Sequence, residues 1–334
     1  MTDILTYGEI LLRLSPAGQE RLTDTGTLAL NVGGAELNVA CGAAQLGLST
    51  AMTARIPQNG LAGAVRRRLR ASGVADSWLV EDSSPQARLG IYYYEPGASP
   101  RKPSVIYDRG NTSAAGFRPE ELPAELPVPR LFHTSGISLA VSPDARRTAL
   151  ELIRRFHGKA LISFDVNYRA RMWSEQEARP VIEELLPLVD VLFISEESCR
   201  RMFGRTGPLE EIQKGFAQEY GIRQVFTTRR TALSPREHCF TSLAYDSRED
   251  AWFSEDAYQR IEAIDRIGSG DAYVAGALYG LLACESVRQA VWYGNAMAAV
   301  KNTVPGDLPS TSLEEIQGIL AAHHGEGSAS EMNR

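Results

Sequence analysis

The chain has 334 residues, 43% of them hydrophobic, enough for one large α/β domain with an elaboration or for two domains. Its formal net charge of −6 gives no general pull toward nucleic acid or a membrane surface, and no apolar run approaches the roughly 18 residues that a span needs. The four cysteines (Cys41, Cys199, Cys239, Cys284) are scattered without a CxxC spacing, three of them in apolar or helical contexts that read as reduced, partly buried thiols of a cytoplasmic protein, and the five histidines make no metal pattern.

In chain order, Ile4-Leu5-Thr6-Tyr7 reads as an opening strand rather than a targeting segment. Residues 11–33 carry short strand signals around Gly18 and Thr25-Gly26. Glu36 to Leu46 is a predicted helix stopped by Gly47, and Leu61 to Ala71 another, stopped by Gly73. On that second helix Arg66-Arg67-Arg68-Leu69-Arg70 reads as a solvated face. Arg88 to Tyr107 reads as a hairpin, with the aromatic run Tyr92 to Tyr94, a turn through Pro96-Gly97, and Ser104-Val-Ile-Tyr. Pro143 to Phe156 is a helix closed by Gly158. Two continuous apolar runs, from Ala160 and from Val189, read as buried strands. Helices follow at Glu196 to Phe203, Leu209 to Tyr220, Gly270 to Ala283, Ser286 to Asn302 and Leu313 to Ala321.

This alternation predicts an α/β fold with a mainly parallel sheet covered on both faces. The expected core comprises residues 1–10, 34–87 and 111–322. Residues 11–33 and 88–110 are expected to join as a small antiparallel sheet, a lid or a subunit contact with Tyr92 to Tyr94 as its apolar face. Residues 323–334 read as a disordered tail.

Five segments carry groups suited to chemistry. Gly268-Ser269-Gly270-Asp271 opens a helix from a bare backbone loop, which presents unpaired N–H groups and the positive end of a helix dipole to an anion. Asp271 sits where an anion would repel it, a placement explained by proton removal from an attacking hydroxyl; a helix-stabilising aspartate in a first turn is the plainer alternative. Gly33-Gly34 allows close backbone approach, and Asn38 one turn later can donate to and accept from a hydroxyl, or lie on the surface. Asp165-Val166-Asn167-Tyr168-Arg169 follows a strand at its ligand-binding edge, and Arg169 could hold a carboxylate or pair with a nearby acid. Tyr107-Asp108-Arg109 leaves the lid and could close on a polar substrate or form a surface ion pair. Ser195-Glu196-Glu197-Ser198 could hold Mg²⁺ through water or only start a helix.

Together, and in this order, these motifs resemble the ribokinase-like (PfkB) carbohydrate kinases over nearly the whole chain, from Gly8-Glu9 to Pro305-Gly306-Asp307. Within that family the 2-keto-3-deoxygluconate kinases are most similar, on Gly33-Gly-Ala-Glu-Leu-Asn, Tyr107-Asp-Arg, Ser135-Gly136-Ile137, Asp165-Val-Asn-Tyr-Arg and Asp265-Arg-Ile-Gly-Ser-Gly-Asp. The resemblance implies a three-layer αβα core and ATP-dependent phosphorylation of 2-keto-3-deoxygluconate at its 6-hydroxyl. It makes Asp271 the base and Gly268, Ser269 and Gly270 the anion hole. It places the sugar acid among Gly33, Gly34, Asn38, Tyr92, Tyr107, Arg109 and Arg169. It assigns Ser195, Thr227, Arg229 and Asn295, with the 268–270 loop, to the nucleotide. Mg²⁺ is expected with ATP, and whether a monovalent cation orders the Asp265 loop stays open. A homo-oligomer formed through the lid is expected, with no nucleic-acid or membrane partner.

Three positions depart from the family pattern, one of them the Asp108-Arg109 order after Tyr107, which differs from some sugar-acid kinases. Ser195-x-x-Ser198 stands where Asn-x-x-Glu is usual, so no metal ligand is carried over, and Glu196 or Glu197 are the substitutes on offer. Thr227 to Ser234 lacks the usual glycines, leaving Arg229 or Arg230 to replace a backbone contact. The rival readings are a fructokinase or other ketose kinase, and a non-catalytic homologue that senses a sugar acid.

Overall fold

The computed structural model of the chain describes residues 1–234 and 236–325. Ten strands form the main sheet. From one edge they run Ala251–Ser254, Glu237–Asp246, Gln224–Ser234, Val191–Phe193, Leu161–Asp165, Leu131–Ser135, Ile4–Tyr7, Thr50–Thr53 and Val74–Ala75, while Tyr258–Glu262 pairs separately with Glu237–Asp246. From Gln224–Ser234 to Val74–Ala75 every pairing is parallel; beyond Gln224–Ser234 the pairings turn antiparallel.

Period-two alternation decides which residue faces which helical layer. Ile4, Leu131, Val191 and Phe226 point to one side, against helices Ala35–Gln45, Ser269–Leu282, Val287–Asn302 and Leu313–His323. Leu5, Phe132, Ile162, Leu192 and Val225 point to the other, against Pro143–Phe156, Glu175–Leu185, Glu196–Arg201 and Leu209–Tyr220. Strands buried on both faces must be apolar throughout, which is why they lack alternation in the sequence.

A second sheet of four strands, Ala29–Gly33, Leu11–Ser15, Gly90–Glu95 and Ser104–Asp108, stands beside the core. It is mixed rather than antiparallel, because Leu11–Ser15 and Gly90–Glu95 both leave the core in the same direction and pair in parallel. Tyr92 and Tyr94 bury one face of it, while Tyr93 points to the other.

Other differences from the sequence reading have local causes. The segment Thr227–Ser234 is the second half of a long strand, hidden from pattern reading because its residues from Arg229 onward are all exposed and show no alternation of apolar and polar residues. Helix Glu175–Leu185 contains Pro180, which masks it; Pro180 is the helix's sixth residue, and Ser174 and Glu177 close a capping box at its start. The expected tail begins too early: His323 ends the last helix, its ring 3.9 Å from that of Tyr258, and His324 meets Glu255 at 3.0 Å. The rest of that tail, 326–334, lies outside the described residues.

Helices Ser269–Leu282 and Val287–Asn302 lie close enough for backbone to touch backbone. A Cβ on Gly280 would stand 2.3 Å from the Ala290 nitrogen, and one on Gly276 2.3 Å from the Tyr293 carbonyl. Gly280→Ala is therefore expected to destabilise by about 1–3 kcal/mol, the usual cost of overpacking. Gly318→Ala, on a helix face with nothing within 4 Å, should be neutral or stabilising by up to about 1 kcal/mol. Urea unfolding midpoints of the two variants check the contrast.

Candidate active site

The parallel strands end together, and the loops leaving them enclose a cleft of about 980 Å³. This is where an open parallel sheet exposes its loop amides and side chains to a ligand. Three glycines make the convergence possible. A Cβ on Gly34 would stand 2.3 Å from the Glu9 carbonyl, one on Gly136 2.2 Å from the Val166 carbonyl, and one on Gly268 1.9 Å from the Asp307 carbonyl. Gly34 and Gly268 also have φ of 144° and 83°, which other residues adopt at a cost.

Gly268 caps helix Ser269–Leu282 without a side-chain bond. Ser269 N–H donates to the Arg266 carbonyl and Ala272 N–H to that of Gly268. Among the described residues the N–H groups of Gly270 and Asp271 have no acceptor, so two orphan donors face the cleft at the positive end of the helix. The Asp271 carboxylate accepts a 2.7 Å hydrogen bond from Asn38 Nδ2. The amide oxygen of Asn38 is buried without a partner and so remains free to accept from a ligand hydroxyl. One side chain thus orients the carboxylate and offers a second contact beside it.

Burial raises Asp271 to about 6, against the Asn38 hydrogen bond and the Arg169 charge, which lower it. Asp165, at the end of its strand, is raised to about 7, first by burial and then by the Asp271 charge. Its carboxylate accepts from the Asn167 N–H at 3.0 Å, and Asn167 itself takes a left-handed φ of 35°. Below them Glu36 is fully buried, with Oε1 accepting from Ser135 N, Ser135 Oγ and Ser138 Oγ at 3.1, 2.7 and 2.6 Å. Gly8 is the neighbour that gives Glu36 room, since a Cβ there would stand 2.0 Å from its Oε2.

Positive charge lines the other side. Arg230 and Arg266 reach the cleft and form no ion pair among the described residues. Although Arg230 is exposed along its strand, desolvation of its guanidinium by the cleft wall lowers its pKa, and the adjacent Arg266 lowers it further. Arg169 is exposed and bonded only to the Tyr168 carbonyl, at 3.2 Å. Arg109, by contrast, is already satisfied by a short ion pair with Glu9, which Thr112 also holds. Tyr92 donates its hydroxyl to Asp307 in a short hydrogen bond.

The structure thus brings Gly34, Asn38, Tyr92, Tyr107, Arg109, Arg169, Ser195, Arg229, Gly268, Ser269, Gly270 and Asp271 to one cleft. Three expected residues lie elsewhere. Gly33 faces the Asp307 carboxylate. Thr227 is buried and accepts from Gln213 Nε2 at 3.2 Å, because alternation along its strand turns Thr228 to the cleft instead. Asn295 is spent on Glu255, at 2.8 Å. Glu196 and Glu197 are engaged by Arg200 and Arg201, each at 2.7 Å. Asp165, Arg266 and Asp307 carry charge into the cleft without having been assigned a role from the sequence, and Arg230, offered there as the alternative to Arg229, reaches it too. For Asp165 and Arg266 a charge beside a recognised motif was the available signal.

A carboxylate raised toward neutrality beside unpaired N–H groups can take a proton from a hydroxyl while an anion rests on the helix end. Comparison with known proteins agrees with that chemistry. The model of the family described as pfkB family carbohydrate kinase matches residues 1–313. A 2-dehydro-3-deoxygalactonokinase from Haloferax volcanii is 35% identical over 320 residues, covering 95% of this chain and 96% of its own. A 5-dehydro-2-deoxygluconokinase from Listeria monocytogenes is 25% identical over 327 residues, 96% of each chain. The crystal structure of 2-dehydro-3-deoxygluconokinase from Thermotoga maritima superposes with a TM-score of 0.90 at 29% identity, over 96% of this chain and 100% of that one.

Asn38→Ala removes the hydrogen bond that lowers Asp271. The midpoint of Asp271 is then expected to move above about 6, read by carboxyl ¹³C chemical shift against pH. An unmoved midpoint would show that the amide does not hold the carboxylate.

Proposed function

The chain belongs to the pfkB family of carbohydrate kinases, and on that premise we propose that it phosphorylates the primary hydroxyl of a 2-keto-3-deoxy sugar acid, with Asp271 as the base. The observation that carries this reading is the Asn38–Asp271 pair beside the free N–H groups of Gly270 and Asp271. An amide and a carboxylate together recognise a hydroxyl, and the helix end receives the phosphate being transferred to it.

The transition state of phosphoryl transfer is loose, so the protein contributes mainly position and charge. The Gly268–Asp271 turn supports the terminal phosphate of ATP. Arg230 and Arg266, free of acid partners, complement the remaining phosphate charge. Asp271 accepts the proton as the hydroxyl oxygen bonds phosphorus. The small sheet carries Tyr92 and Tyr107 over the sugar and limits access of water, which would otherwise take the phosphate.

Mg²⁺ accompanies nucleotide phosphates in such reactions, but the residues present do not make a resident metal site. Among the described residues no group of three or more His, Cys, Asp or Glu could hold a metal ion, and Glu196 and Glu197 are engaged by arginines. We therefore assign Mg²⁺ to the nucleotide rather than to the protein.

The substrate's acid group follows from Arg169, a guanidinium at the sugar end of the cleft without a carboxylate partner. The relatives named above all act on dehydro-deoxy sugar acids by their names, and Arg169 is the group we assign to that shared carboxylate. Leu30 and Ile106 on the small sheet and Leu28 just before it are exposed and are where a second copy would pack. No helix among the described residues is long and apolar enough to cross a membrane, in keeping with a place in the cytoplasm.

ATP consumption against a panel of keto-deoxy sugar acids of both C4 configurations, ketohexoses, pentoses and nucleosides tests the substrate class. Turnover is expected with the keto-deoxy acids; preference for a ketohexose would replace the reading. In Asp271→Asn the turnover number should fall by about 10²–10⁴-fold or more, with ATP affinity nearly unchanged. Near-normal turnover in that variant would remove Asp271 from the base role.

Arg169→Ala should raise KM for acid substrates by about 10–100-fold, the worth of a charged hydrogen bond of roughly 1.5–3 kcal/mol. Poorly used neutral ketoses, measured in the same assay, should be unaffected. An equal loss for both classes would argue against a carboxylate contact.

A further inference from the structure

One buried charge has no role in the mechanism above. Lys301, near the end of helix Val287–Asn302, has no exposed surface and no ion pair among the described residues. Its Nζ donates to two backbone carbonyls, Asp265 O and Val304 O, each at 3.1 Å. An ammonium taken out of water without a carboxylate against it is expensive, so its position calls for a function.

Those two carbonyls belong to the two turns that build the phosphate cradle. The Asp265 carboxylate accepts from Ile267 N at 3.1 Å on one turn and from Gly306 N at 3.0 Å on the other. Gly268 then lies directly against the Asp307 carbonyl, with no space for a Cβ. Arg13 reaches in from the small sheet to Asp265 at 2.6 Å and Asp307 at 3.5 Å. Two positive and two negative side chains, Arg13 and Lys301 with Asp265 and Asp307, therefore sit under the cradle, and Lys301 is the member that binds main-chain oxygen.

A single positive charge between carbonyl oxygens of two adjacent turns is the arrangement in which protein carbonyls replace the water around a monovalent cation. A free cation cannot share those two oxygens with the ammonium already on them. We propose that Lys301 is a tethered monovalent cation, which locks the Asp265–Gly268 and Val304–Asp307 turns together and frees nucleotide binding from any need for K⁺ or NH₄⁺ in solution. Lys301 is a positioning residue: it acts through the turns and touches neither sugar nor phosphate. The inference rests on the reading of Gly268–Asp271 as the phosphate cradle.

ADP affinity measured by calorimetry tests it without requiring the sugar substrate. The wild-type affinity should be the same in potassium, ammonium and choline chloride at equal ionic strength. A wild-type affinity that requires potassium would overturn the proposal. Lys301→Ala should lose about tenfold or more in choline, the cost of leaving buried acceptors unpaired, and should regain it in potassium or ammonium. Lys301→Met fills the space without a charge and should lose affinity in every salt. Folded Lys301→Ala that no ion restores, or Lys301→Met with wild-type affinity, would reduce Lys301 to a packing residue. If the alanine variant does not fold, the methionine variant and the wild-type salt series decide the matter. Failure of the sugar-acid panel would overturn the substrate reading and leave these affinities interpretable.

Discussion

The turn that carries Asp271 stands on the carbonyl of Asp307. At 1.9 Å from a notional Cβ, that oxygen excludes every residue but glycine at 268. The left-handed φ at Gly268 is what turns the following N–H groups toward the cleft. The contact between two backbone segments gives little energy by itself, and unpaired polar backbone would separate them in favour of water. Buried charges hold them together, Asp265 by its carboxylate and Lys301 by its ammonium. The position of Asp271 relative to the free N–H groups of the helix end is thus fixed by groups that contact neither.

The same reasoning explains the acids. Asp165 and Asp271 line the cleft with Glu36 beneath them, and burial pushes all three upward in pKa. Three close carboxylates cannot all be charged cheaply, so the protons they retain belong to the group as a whole. Glu36 and Asp165 lie deeper or closer to the strand ends, with donors of their own. Asp271 has Asn38 and the Arg169 charge in its favour, and its carboxylate is the one at the helix end. The Asn38 hydrogen bond favours the charged form of Asp271 at the helix end.

Much of this was legible in the sequence, for physical reasons. Glycines at 33–34 and 268 announce close approach, because a Cβ at Gly34 or Gly268 would run into the backbone of another segment, and the polar run from Asp165 to Arg169 is poor packing material at the end of an apolar strand. The helices at Pro143–Phe156 and Leu209–Tyr220 lie where the periodicity puts them. What escaped was set by partners distant in sequence. Thr227 and Thr228 differ only in which face of a strand they occupy, and the strand itself was hidden by its exposed, basic end. Asn295 looks like a ligand group until Glu255 is placed beside it. Lys301 sits in an apolar helix and gives no local sign that it serves a turn at Asp265.

The buried ion pair between Arg13 and Asp265 also limits how the small sheet can move. Arg13 lies on the strand Leu11–Ser15, and the neighbouring strand contributes Tyr92, bonded to Asp307. Lifting the sheet as a rigid body would break both contacts at once. Motion that admits a sugar is therefore confined to the outer part, where Ser104–Asp108 is largely exposed and Arg171 holds the Val105 carbonyl from the core side. The roots of the sheet and the phosphate cradle form one rigid unit. On the proposed function, a sugar beneath Tyr92 and Tyr107 would be registered against the helix end through Asp307 and Asp265 as well as through its own contacts.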